Sequence, residues 1–216
     1  MTANNARPVA GRALLAVTVA RFCYGVVLIM TLLLYRNLFN NPGDPNKGLA
    51  GFALAVGLSG VGFGLSAVFT PVVTRRIRLE LWITLCLFGA AAAELLFGLP
   101  FRPLPLLIGA VLLGIASQGQ KICTDTLAQR SVDDEFRGRV FVFYDMVFNG
   151  AFVLAAAFAA AGLPQTGKSY TVLVVVAACY AVAGLWYAAK SLGGPVNVPP
   201  PRSSAPAAPP TSPAVR

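Results

Sequence analysis

An all-α, polytopic membrane protein with six transmembrane helices is the fold class that three features of this sequence predict. Only 12% of its 216 residues are charged and 56% are hydrophobic, with a mean hydropathy of +0.70. A water-soluble domain carries about 25% charged residues, and halving that share fits a surface that lipid covers, because charge facing lipid is costly. The apolar residues gather into six runs, each near the roughly 20 residues of helix needed to cross a hydrocarbon core about 30 Å thick. Breaker-rich segments such as "NNPGDPNKG", "LPFRPLP" and "GLPQTGK" separate most of these runs, as Pro, Gly and Asn do between elements.

The first run is Ala13 to Tyr35 and the second Leu49 to Thr70. The third, Leu81 to Leu99, and the fourth, Leu104 to about Cys123, are followed by Val140 to Gly162 and Tyr170 to Ala189. The first run is too long for the apolar core of a signal peptide and has no small-residue cleavage site, so it is expected to remain as a span. Residues 1–11 form a short polar leader, residues 12–190 the six-helix domain, and residues 191–216 a Pro/Ala/Ser-rich tail expected to be disordered.

Basic residues orient the chain. One side carries Arg7, Arg12, Arg75, Arg76, Arg78, Lys121, Arg130, Arg137, Arg139, Lys190, Arg202 and Arg216, while the other carries Arg36, Lys47, Arg102 and Lys168. Twelve against four places both termini in the cytoplasm by the positive-inside rule. The net charge of +9 then belongs to cytoplasmic loops, and no nucleic-acid partner is expected. The chain has no histidine, no HExxH motif and no phosphate-cradling loop, which argues against an enzyme and against a metal or other cofactor. Its four cysteines, Cys23, Cys86, Cys123 and Cys179, form no CxxC pair and read as small buried hydrophobes.

Polar residues within the runs are the candidates for function. Gln118, Lys121, Asp125 and Gln129 recur at helical spacing, so they share one face, expected to point into the bundle or a cavity. Lys121 and Asp125, one turn apart, suit an ion pair where the fourth helix leaves the membrane, with substrate contact as the alternative. The segment "SVDDEFRGR" has the S-x-x-[DE] spacing of a capping box from Ser131 to Asp134. Asp133, Asp134 and Glu135 suit a helix N-terminus, with Arg137 and Arg139 anchoring it at the interface. Asp145 and Asn149 share a face of the fifth span, and Arg21 lies inside the first. The expected partner of Arg21 is Asp145 or Asp125. Glu94, toward the outer end of the third span, reads as structural. In "GLSGVGFGLS", Gly60 and Gly64 have the small-xxx-small spacing of close helix packing, either inside the bundle or against a partner.

The six-span order, the basic "TRRIR" loop after the second span and "KICTDTLAQRSVDDEFRGRVFVFYDMVFNGAF" across the fourth and fifth resemble one known family. The chain resembles the C-terminal six-helix half of exporter-like members of the major facilitator superfamily (MFS) over residues 12–190. That resemblance implies a three-plus-three repeat in which spans one and four line the substrate path, with Arg21, Tyr24, Gln118 and Lys121 as lining candidates. Spans two and five would face a second half and three and six would lie outside. The family's loop signature is degenerate here, since no acid stands in "FTPVVTRR" ahead of Arg75, Arg76 and Arg78. The implied function is secondary transport in the cell (inner) membrane: efflux of a small molecule coupled to an ion gradient. It would require a second six-helix half, either another copy or a separate chain. The alternative is a non-transporting scaffold, accessory subunit or transporter remnant.

Overall fold

The computed structural model describes residues 3–41, 43–131 and 134–192, with side chains for 10–41, 43–44, 46–131, 138–139 and 141–192. Six helices follow one another: α1 Ala3–Leu33, α2 Pro45–Val73, α3 Leu79–Ala93, α4 Pro103–Ser131, α5 Asp134–Gly162 and α6 Tyr170–Ser191. Each contains a stretch long and apolar enough to cross a membrane, and no strand occurs among the described residues. Five-residue π-helical turns, Leu34–Leu38 and Glu94–Gly98, extend α1 and α3 at the same end of the bundle. The tail from residue 193 and Asp133 lie outside the described residues, as do the side chains of Asp134, Glu135 and Arg137.

The boundaries depart from expectation in two places. Helix α1 already runs from Ala3, so residues 3–11 are helical. Helix α4 continues to Ser131 rather than ending near Cys123. The Ser131 hydroxyl donates to the Leu127 carbonyl at 2.7 Å, the backward bond of a serine inside a helix, and the expected capping box runs through residues outside the described ones. About 15 Å of helix therefore separates Lys121 from Ser131, at 1.5 Å per residue. Lys121 and Asp125 thus lie within a continuous helix and not at its end.

The packing has an internal symmetry. Helix α4 packs against α2, α3 and α1, while α1 packs against α5, α6 and α4, and α3 packs against α6. Exchanging α1 with α4, α2 with α5 and α3 with α6 maps these principal contacts onto themselves, which is the mark of a three-plus-three repeat. Small residues sit at both equivalent crossings. A Cβ on Gly62 of α2 would collide with the Val111 carbonyl, and one on Gly114 of α4 with the Ser59 carbonyl. On the other side, a Cβ on Gly25 of α1 would lie 2.7 Å from the Ala155 Cβ of α5. Gly60 and Gly64 do not pack inside the described bundle: nothing lies within 4 Å of a Cβ built on either. Two residues turn a helix by about 200°, so Gly62 and its even-numbered neighbours point in nearly opposite directions.

The core fills the space between α1, α3, α4 and α6, with Ala20, Cys23, Ile83, Leu87, Ala90, Cys123, Tyr180 and Tyr187 among its buried members. The buried Tyr180 hydroxyl donates to the Ala20 carbonyl at 3.1 Å, tying α6 to α1. Cys23, Cys86 and Cys123 are buried free thiols, as read from the sequence, whereas Cys179 is exposed. Helices α2 and α5 are the least covered spans, with 22% of each buried against 50% for α1 and α3.

Candidate functional site

Two cations from different helices meet at one ring. The guanidinium of Arg21 on α1 lies 4.8 Å from the Phe148 ring centre on α5. The same group is 4.6 Å from the centre of Phe152 and 5.6 Å from that of Tyr24. The ammonium of Lys121 on α4 lies 5.2 Å from the Phe148 centre and 5.3 Å from that of Tyr144. Phe148 and Phe152 are one turn apart, so they present consecutive rings along one face of α5, and Tyr144 precedes them by another turn. Cation–ring attraction of this kind contributes about 0.5–2 kcal/mol per pair depending on desolvation.

The charges are unequally matched. Lys121 Nζ donates to Asp125 Oδ2 at 2.9 Å, an i,i+4 pair along α4 with both side chains 29% exposed. The other ion pairs among the described residues are Asp44 with Lys47 and Arg78 with Glu80. Arg21 belongs to none of them, and its buried Nε has no hydrogen-bond acceptor. The expected pairing of Arg21 with Asp145 or Asp125 is therefore not formed. Asp145 follows Tyr144 by a rotation of about 100°, which takes it off the inward face to an exposed position. Asn149 is exposed beside it and donates to the Asp145 carbonyl at 2.9 Å. Asp125 Oδ1 and the Tyr144 hydroxyl are also buried, and the hydroxyl faces the Asp125 carboxylate.

Tyr24 continues this polar line deeper into the bundle. Its hydroxyl shares a 2.9 Å hydrogen bond with Ser59 Oγ of α2. Tyr24, Thr31, Ser59 and Glu94 then help to line a cavity of about 40 Å³ between α1, α2, α3 and α4, enough for a water-sized occupant. Glu94 opens the π-helical turn after α3 and is 3% exposed, with no hydrogen bond or ion pair among the described residues. Its neighbours include Gly98, Cys23 and Tyr180.

Of the remaining candidates, Gln118 is half-buried one turn from Lys121 on the same face of α4. Arg75, Arg76 and Arg139 are exposed, and Arg78 Nε approaches Glu80 at 3.6 Å. No group of three or more metal-ligating side chains occurs among the described residues.

Two curated proteins match this chain: uncharacterized MFS-type transporters of Mycobacterium bovis and of Mycobacterium tuberculosis. Each is 31% identical over 165 residues, covering 76% of this chain. The chain is a homologue of MFS-type transporters. It spans 36% of the length of each of these MFS-type relatives. No family model and no solved structure matches it. The three-plus-three packing and the membrane-length helices fit the MFS-type relationship and make this a multi-pass membrane protein.

Proposed function

We propose that this six-helix unit is one body of a two-body secondary transporter, in which α1 and α4 line the path and α2 and α5 face the second body. The observation that carries this reading is the polar line inside the spans: Lys121 and Asp125, Arg21, Tyr24 and the Glu94 cavity. Ionisable groups inside a membrane are expensive and mark substrate or ion pathways. The thin cover on α2 and α5, with exposed Val61, Val68, Val153 and Leu154, supports their facing another protein body. The exposed Gly60 and Gly64 suit a close approach of that body. The second body would complete the path, since alternating access requires two bodies that rock about a shared site.

In this reading both termini are cytoplasmic, the membrane is the cell (inner) membrane, and a small molecule is moved outward at the expense of an ion gradient. Ion coupling falls to Glu94, a carboxyl with no counter-charge among the described residues that opens onto a small cavity. The test is counterflow and gradient-driven uptake in proteoliposomes after the mass of the protein assembly has been measured in nanodiscs. An assembly of two bodies is expected, with flux lost in Gln118→Ala and Lys121→Ala at unchanged assembly mass. Glu94→Gln is expected to retain counterflow and lose the response to the gradient. An assembled protein with no flux in any form would instead favour a scaffold.

A further inference from the structure

We infer that the Arg21 cluster binds a small organic anion, a carboxylate or phosphate attached to an apolar or aromatic body, and that Arg21 is its principal ligand. This inference rests on the transporter reading for its biological purpose but not for its chemistry. Arg21, Lys121 and Asp125 together leave one positive charge without a counter-charge among the described residues, since Asp125 is already held by Lys121 at 2.9 Å. An unmatched arginine within a span costs several kcal/mol, and ring contacts offset only part of that. Lys121 and Arg21 also flank the same Phe148 ring, so their charges repel across it. A bound anion relieves both penalties.

The donors for such a ligand are in place. Arg21 Nε is buried and has no acceptor among the described residues. Arginine's planar fork suits carboxylate and phosphate oxygens. Phe148, Phe152 and Tyr24 wall the site with aromatic surface, which favours an anion carrying an apolar part over a fully hydrated inorganic one. A small cation would meet net repulsion there.

The same charge could be met by an acidic lipid headgroup, and the test separates the two sources. Full-length protein in phosphatidylcholine nanodiscs is titrated with benzoate, benzyl alcohol and benzylamine, which share a ring and differ in charge. Thermal stabilisation and direct binding are the readouts, so the result does not depend on transport. Benzoate alone should stabilise the protein. Arg21→Gln should weaken benzoate at least about tenfold, and Asp125→Asn, which raises the local charge, should strengthen it by about threefold or more. Arg21→Lys, which keeps the charge, should retain part of the binding and covers the case in which Arg21→Gln fails to fold. In discs containing phosphatidylglycerol the benzoate effect should persist; its loss there would assign the site to lipid headgroups and overturn the inference. Equal effects of all three compounds, or preference for benzylamine, would overturn it as well. Benzoate binding without flux in proteoliposomes would leave this inference standing and remove the transporter reading.

Discussion

Gly62→Leu or Gly114→Leu is expected to cost the protein about 3 kcal/mol or more, at the upper end of what overpacking does, and in practice to leave little folded material. The cause is geometric. At this crossing each glycine faces carbonyl groups of the opposite helix, Val111 for Gly62 and Ser59 for Gly114. A backbone cannot rotate away as a side chain can, so any Cβ must push α2 and α4 apart. Separation would also strain the Tyr24–Ser59 bond and the cavity that Ser59 helps to line. Gly60→Leu and Gly64→Leu, whose Cβ positions are open, should shift the unfolding midpoint of the purified single body by no more than about 0.5 kcal/mol equivalent. Thermal unfolding in detergent, alongside the yield of monodisperse protein, reads the contrast. Equal losses from all four substitutions would show that the crossing has been assigned to the wrong face. In the two-body assembly the Gly60 and Gly64 variants acquire a second meaning. If that face meets a partner, they should lower assembly while leaving the single body intact.

That contrast also shows where the sequence runs out. The six spans could be read because lipid demands continuous apolar helix whatever its neighbours are, and the Pro/Gly/Asn loops between spans are local signals. The choice between the faces of α2 is not local: Gly57, Gly60, Gly62 and Gly64 crowd into eight positions, and only the position of α4 decides which one must be bare. The far end of α4 was missed for a related reason. Lys121 and Asp125 look like the end of a helix when read along the chain, yet α4 runs on past them, with Lys121 paired to Asp125 and lying over the Tyr144 and Phe148 rings. Spacing correctly put Gln118, Lys121 and Asp125 on one face. It could not say that Arg21 would be met by rings instead of by Asp145, since a single residue's step on α5 separates the inward Tyr144 from the outward Asp145. Phe148 and Phe152 carried no signal of their own, being indistinguishable in sequence from residues that face lipid. Glu94 was visible as an intramembrane acid, but its lack of a counter-charge among the described residues appears only when every neighbouring helix is in place.

Asp125→Asn is expected to destabilise the unliganded protein by about 2 kcal/mol, less than the 3–5 kcal/mol for fully buried pairs because both partners retain some exposure. The loss exceeds that of an ordinary surface pair because the charge left behind is not solitary. Removing the carboxylate leaves Lys121 and Arg21 unmatched on the same Phe148 ring. Lys121→Gln combined with Asp125→Asn removes one charge of each sign and restores the original balance around Arg21. The double variant should therefore lie within about 1 kcal/mol of the parent, with a coupling energy of the same order as the single loss. A double-mutant cycle in nanodiscs measures this directly. If the double variant is as unstable as Asp125→Asn, the carboxylate matters through a contact other than Lys121, and charge balance at the ring is not what holds this part of the bundle together. If the cycle closes as expected, benzoate should restore much of the stability lost in Asp125→Asn, because a bound anion supplies the charge that the missing carboxylate provided. The two results together would separate a protein that merely tolerates positive charge in its spans from one that keeps a vacancy for an anion.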